Sequence, residues 1–331
     1  MKYAPHHQLG ETPNLVVDGA ATPTTVLTLS HWPHSGTPAI LRDDLSAQIV
    51  FRYLDRPDLH VRVDAVSNNH FDEDGLVGVW AVLHPDEAQA RRELLVDVAS
   101  AGDFGTFTDR TAARVAFALS AYADPDASPL GPSPFALPYP ELVAVLFTEL
   151  LPRLPEMCDD VARFRDLWEV EDSVLEGGQR ALEAGTVAIE EVGPLDLAVV
   201  SIPEGWRVRH VHRFTQERAQ ALHPMAVHNS TRCTRVLLMQ GRRYVLQQRY
   251  ETWVQYQSRR LLPRVDLAPL AARLSERERE GTWRADGVDD ITPALSLLDA
   301  DESSIDPSMF RAEVERFLVE APAAWDPYDR P

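Results

Sequence analysis

Cysteine is scarce: 331 residues contain two, Cys158 and Cys233. A pair so far apart excludes a disulfide framework and a zinc knuckle, and reads as reduced thiols of a cytoplasmic protein. Lysine is nearly absent, Lys2 being the sole example, so almost every positive charge is an arginine. Long apolar runs are missing too. Stretches such as Leu142-Val-Ala-Val-Leu-Phe147 fall far short of the roughly 20 residues a membrane span needs, so no membrane association is expected. The start, Met1-Lys-Tyr-Ala-Pro-His-His7, lacks a basic stretch leading into an apolar block, so no secretory signal is expected. The phosphate-binding G-x-x-x-x-G-K-[ST], the dinucleotide G-x-G-x-x-G and the serine-hydrolase G-x-S-x-G do not occur.

What remains is an ordinary globular composition, 44% hydrophobic and 25% charged, over a length that suits about two domains. The net charge of −19 argues against a general nucleic-acid binder. Its distribution is uneven. Residues 206–264 hold twelve arginines against two acids, Glu217 and Glu251, a net of +10 that leaves −29 for the rest. One part of the chain is built to meet an anion, while the remainder repels anions.

The first 120 residues alternate apolar runs with helical stretches. Thr24–Leu29 and Val61–Val66 read as strands, and Asp43 is placed to cap a helix through Leu54. Leu76–Leu83, apolar all round, predicts a short buried helix. Glu93–Ala99 suits strand or helix, and Arg110–Tyr122 has helical spacing. This alternation predicts an α/β fold, a parallel sheet with flanking helices. Six prolines between 125 and 140 suggest a linker, followed by helices near 141–151, 155–170 and 172–185. Further on come a strand at Leu195–Ile202, a helix at Phe214–Leu222, and a hairpin over Arg235–Val254 turning near Gln240-Gly241. Helical runs at Asp266–Glu280 and Phe310–Val319 close the chain. The expected organisation is an α/β domain with an acidic loop (1–124), a proline-rich linker with helices (125–190), and a second, smaller, arginine-rich α+β domain for substrate binding (191–331).

The most informative stretch is Ser67-Asn-Asn-His-Phe-Asp-Glu-Asp-Gly-Leu-Val-Gly-Val-Trp80, between an expected strand and an expected helix. In a parallel sheet, ligands bind beyond the carboxyl ends of strands. Asp72 and Asp74, two positions apart, can point the same way from extended backbone. An EF-hand loop beginning at His70 would need an acid where Ala81 stands, which excludes that reading. Two readings stay open. The aspartates cap the following helix, or with His70 they hold a hard cation such as Mn²⁺ or Mg²⁺.

His70-Phe-Asp-Glu-Asp-Gly-Leu-Val-Gly78 resembles the strand-ending D-x-D-G element of the DHH phosphoesterase superfamily, the RecJ-type nucleases and related phosphodiesterases. Asp97-Val-Ala-Ser-Ala-Gly-Asp-Phe-Gly105 is similar to a second element of that group, in which an aspartate follows an apolar run. The resemblance implies a divalent-metal site built from Asp72, Asp74 and Asp103, with Asp97 as the alternative to Asp103, and His70 as a ligand or as the group orienting a catalytic water. His31 and His34, in Ser30-His-Trp-Pro-His-Ser-Gly36, follow the first expected strand and are candidates for further nitrogen ligands. The Asp-His-His triplet that names the group does not occur in the chain.

Arginines alternate with aromatics in Trp206-Arg-Val-Arg-His-Val-His-Arg213 and in Arg242–Tyr250. Guanidinium forks suit phosphate oxygens and aromatic faces suit bases, making Arg242, Arg243 and Arg249 the candidate substrate contacts. The alternative is that they pair with acids elsewhere in the chain. These features predict a metal-dependent phosphodiesterase or phosphatase acting on a phosphorylated small molecule, nucleotide or short oligonucleotide. The missing triplet motivates the other expectation, a non-catalytic nucleotide-sensing or protein-interaction module with a degenerate DHH-like fold.

Overall fold

The computed structural model describes residues 1–206 and 222–328. The chain divides into two compact units: Met1–Asp172 with Val254–Arg259, and Ser173–Trp253 with residues 260–328. It is an α/β protein. The first unit holds a four-stranded parallel sheet, β1 (Lys2–Tyr3), β2 (Asn14–Val17), β3 (Thr25–Leu29) and β4 (Ala65–Ser67), in the order β1-β4-β2-β3. Its central strand, β2, is apolar and wholly buried at Leu15, Val16 and Val17, as a strand covered on both faces must be. The strand expected at 61–66 shortens to Ala65–Ser67. The Val61 N–H is taken by the Tyr53 hydroxyl at 3.1 Å instead of a neighbouring strand.

The helices of this unit are α1 (Ser46–Leu54), α2 (Glu73–Leu83), α3 (Pro85–Ala90), α4 (Arg92–Asp103), α5 (Arg110–Tyr122), α6 (Tyr139–Leu150), α7 (Leu154–Asp159) and the start of α8 (Arg165–Glu183). Helix α2 is the expected buried helix, with Leu76, Val77, Val79 and Trp80 all inside. It touches α1, α4 and the sheet. Gly78 permits that approach, since a Cβ there would lie 2.5 Å from Val17 Cγ1. Gly78→Ala is therefore expected to destabilise the protein by about 1–3 kcal/mol through overpacking. A denaturant midpoint unchanged in that variant would show that α2 can shift away from β2.

Several local expectations are settled or corrected by the structure. Asp43 does not cap α1, which starts at Ser46, and its carboxylate instead pairs with Arg52 at 2.6 Å. Glu93–Ala99 resolves to helix, inside α4. The 125–140 stretch, expected to separate domains, lies within the first unit. There Pro134 sits in the 3₁₀ turn Ser133–Ala136 and Pro140 in the first turn of α6. Proline is well tolerated in a first turn because its missing N–H has no partner to lose. The helix expected over 155–170 breaks at Asp160, whose backbone (φ −150°, ψ 75°) is not helical, and α8 runs through the break expected near 171.

The second unit carries β5 (Ala188–Val192), β6 (Leu197–Ile202), β7 (Arg235–Gln240), β8 (Arg243–Gln248), β9 (Arg264–Val265), β10 (Thr282–Ala285), β11 (Ala294–Leu298) and β12 (Ala323–Trp325). Six of these form a mixed sheet, β10-β11-β8-β7-β6-β5, in which only β6 and β7 run parallel. Helices α9 (Pro224–His228), α10 (Ala268–Ser275) and α11 (Pro307–Glu320) complete it. The expected hairpin is present. Gln240 faces Arg243 across a two-residue turn, where Gly241 takes φ +57°. The core gathers Leu237, Leu246, Trp283, Leu295 and Phe310, with Tyr244 stacked on Phe310 at 4.3 Å. The helix expected at Phe214–Leu222 and the arginines of 207–213 fall outside the described residues, apart from Leu222 itself. Among the described residues, no helix is long and apolar enough to cross a membrane.

Candidate metal centre

Three adjacent parallel strands end side by side, and each delivers a polar residue just past its carboxyl end. Strand β2 gives Asp18, β3 gives His31, and β4 leads to His70 and Asp72. Helix α2 adds Asp74 from its first turn, and α4 adds Asp103 from its last residue. The acidic loop of the sequence thus meets two residues from far earlier in the chain.

Asp18 stands in the middle. Its Oδ1 lies 3.4 Å from His31 Nε2, and its Oδ2 lies 3.3 Å from His70 Nε2. Two groups with convergent ligand atoms result, Asp18–His31–Asp74 and Asp18–His70–Asp72, which share Asp18. The first group is deep, with all three side chains essentially excluded from solvent. The second opens outward, His70 being 20% and Asp72 15% exposed. Asp103 flanks the deep group, its Oδ2 3.5 Å from His31 Nε2. Asp18 takes φ +47°, in the left-handed region, where aspartate is among the few side chains tolerated.

The proton positions follow from the partners. His31 Nδ1 meets the Asp44 carbonyl at 2.6 Å. A carbonyl can only accept, so Nδ1 carries the hydrogen and Nε2 of the neutral ring presents a lone pair. Burial lowers the His31 pKa, against the opposing pull of Asp18, and keeps the ring neutral near pH 7. Its Nε2 lone pair then faces carboxylate oxygens of Asp18, Asp103 and Asp74, the last at 3.9 Å. Electron-pair donors converging in this way repel one another unless a cation stands among them. Burial, reinforced by the Asp18 and Asp72 charges, pushes the Asp74 carboxyl well above its ordinary range, while the amide N–H groups of Ala47 and Ser46 oppose that rise. At His70, burial works against the charged ring, but Asp72 and Asp18 together outweigh it and raise the imidazole well above its usual value. His70 Nδ1 is buried without a hydrogen-bond partner, while Nε2 meets Asp72 Oδ2 at 2.7 Å.

Helix capping by the two aspartates is shown, and it does not take them out of the cluster. Asp72 is the N-cap of α2, its Oδ1 accepting from Gly75 N at 2.8 Å, while its Oδ2 turns to His70. Asp74 caps a different helix. Its two oxygens accept from Ser46 N and Ala47 N, at 2.7 and 2.6 Å, at the start of α1. The cap expected from Asp43 therefore comes from Asp74, 28 residues downstream of Ser46.

Of the expected site residues, His70, Asp72, Asp74 and Asp103 come together, and His31 joins them. Asp97 does not, because its carboxylate accepts from Thr108 N and Asp109 N in the turn before α5. His34 is exposed, at φ +58°, and belongs to neither group. The arginines lie on and just past the hairpin of the second unit. Arg242 donates to the Ser304 carbonyl, and Arg243 pairs with Glu302 at 2.9 Å. Arg249 is 4% exposed and bridges Glu251 at 2.5 Å, so its charge is spent inside its own unit. Sequence reading missed Asp18. Its signal was the apolar run Leu15-Val-Val17 ending in Asp18-Gly19, the pattern of a buried strand that delivers an acid at its carboxyl end.

Fold and site together define a class: an α/β protein with an acid–imidazole cluster at the carboxyl edge of a parallel sheet. Within that class, the chain belongs to a family of unknown function, DUF6687, which it matches over residues 1–329. No curated protein and no solved structure matches it.

Proposed function

We propose that the chain is a metal-dependent phosphoesterase, a phosphodiesterase or phosphatase that takes a small phosphorylated or nucleotide substrate at the Asp18 cluster. The observation that carries this reading is the pair of convergent groups sharing one buried carboxylate, Asp18. Oxygen ligands with one imidazole per group suit Mn²⁺ or Mg²⁺. Cations held there would lower the pKa of a bound water and polarise a phosphoryl oxygen. Asp18, common to both groups, would help hold a cation in either. His31, Asp74 and Asp103 would hold the deep position, and His70 with Asp72 the outer one. The exposure of His70 and Asp72 supports a substrate approaching from their side. The convergence of Asp72, Asp74 and Asp103 supports a distant relationship to the DHH phosphoesterases as part of this proposal. Arg242 and Arg243 remain the candidate phosphate contacts of the second unit, considered by itself. The buried thiols of Cys158 and Cys233, outside any disulfide, accord with a reducing cytoplasm.

The burial of the deep group favours a second reading, a module that binds metal and nucleotide without turnover. Purified protein incubated with bis(p-nitrophenyl) phosphate and p-nitrophenyl phosphate, with and without Mn²⁺, separates the two. The enzyme reading expects Mn²⁺-dependent release of nitrophenolate. Metal binding without any release, under conditions where a nucleotide still binds, would leave the module.

A further inference from the structure

Residues 254–259 belong to the first unit, although the chain on both sides of them belongs to the second. The segment is tied down at a few identifiable places. Gln255 N donates to the His31 carbonyl at 2.9 Å. Asp44 Oδ1 accepts from the successive amides of Gln257, at 2.5 Å, and Ser258, at 2.8 Å. Asp44 Oδ2 accepts from the Ser258 hydroxyl. The ring of Tyr256 meets Phe104 edge-on at 5.5 Å, and Phe104 follows Asp103 in the chain.

Asp44 is the connector in this arrangement. Its carboxylate, on a residue only 6% exposed, is satisfied by the segment, while its own carbonyl receives the hydrogen of His31 Nδ1. That bond decides which His31 nitrogen faces the carboxylates. Groups that hold the far nitrogen of a ligating imidazole set its tautomer, its orientation and its basicity. A buried carboxylate that lost its donors would move the backbone bearing it, and the carbonyl would move too.

We propose that residues 254–259 form a strap that positions the His31 imidazole through Asp44 for the deep cation, making Asp44 a positioning residue. This rests on the metal reading of the Asp18 cluster. It extends that reading by making the deep position depend on a segment threaded in from the sequence of the second unit. Substitutions in the strap are then expected to act on the metal without touching a ligand.

The test is a Co²⁺ titration of the full chain, read by its visible absorption, together with ¹⁵N NMR of the histidine rings in metal-free protein. Asp44→Ala is expected to weaken Co²⁺ binding by about 10- to 100-fold and to alter the spectrum. Ser258→Ala, which keeps both amide donors, covers the case in which Asp44→Ala does not fold. It should shift affinity in the same direction by a smaller factor. The effect of each strap variant should vanish in a His31→Ala background, because it acts through that ring. In metal-free protein, His31 should hold its hydrogen on Nδ1 in wild type and lose that single tautomer in Asp44→Ala. Equal losses with and without His31 would make the strap a general structural element and overturn the proposal, as would unchanged binding and tautomer in both variants. Absence of Co²⁺ binding by wild type would overturn the metal reading itself, and the tautomer measurement would still decide whether the strap orients His31.

Discussion

Asp18→Asn is expected to remove both cation positions at once. Asp18 gives one oxygen to each group, so replacing one of them by an amide nitrogen leaves neither group with its shared anionic ligand. The fold should survive. Asparagine tolerates the left-handed backbone that Asp18 occupies, and it retains an oxygen to accept the Ser46 hydroxyl, now at 2.7 Å. A ligand at 100 times its Kd stabilises a protein by about 2.7 kcal/mol. At roughly 2–4 °C per kcal/mol for a unit of this size, saturating Mn²⁺ should raise the wild-type Tm by about 5–11 °C. Thermal unfolding with and without Mn²⁺ measures this directly. The variant should show no Mn²⁺ response and a metal-free Tm close to wild type. A full response in the variant would remove Asp18 from the centre of the site.

Asp74→Asn should behave differently, losing stability even without metal. Neutralising repelling carboxylates would be expected, from sequence alone, to leave the metal-free protein no worse. The structure reverses that expectation at Asp74, because both its oxygens accept backbone N–H groups from the first turn of α1. Each such bond to a charged acceptor is worth about 1.5–3 kcal/mol. An asparagine keeps one acceptor and turns an NH₂ against the other donor. Part of the loss is offset by relief of repulsion from Asp18 and Asp72. The net cost should be about 2–4 kcal/mol, visible as a lower urea midpoint with an unchanged slope. Asp72→Asn is the control. Asparagine caps a helix about as well as aspartate, so α2 should keep its start, and that variant should lose metal response far more than stability. If Asp72→Asn proved the more destabilising of the two in the absence of metal, capping of α2 would be the main role of the acidic loop.

The cluster was half legible in the sequence. His70, Asp72 and Asp74 stand within five residues, between a strand and a helix whose apolar patterns are plain, so local spacing alone puts them at a strand's carboxyl end. Helix α2 could be read for the same reason, because a helix apolar on every side has no alternative but burial. The hairpin of β7 and β8 was read from its turn, where Gly241 meets a local need for positive φ. Arg249 illustrates the limit of such reading. Its spacing among aromatics resembles a phosphate contact, yet a partner two residues away, Glu251, takes its charge once both are buried.

Sequence alone thus determined the α/β alternation, the buried helix α2 and the acidic loop that precedes it, because each is written in residues close together in the chain. Tertiary structure alone decided the rest. It made β2 the strand between β3 and β4, so that Asp18 falls midway between His31 and His70. It assigned the cap of α1 to Asp74 and brought residues 254–259 back to Asp44. The physical reason is common to all three. A buried carboxylate must find donors or cations wherever the fold supplies them. Strand order and chain return set which donors those are, and neither is encoded in the spacing of neighbouring residues.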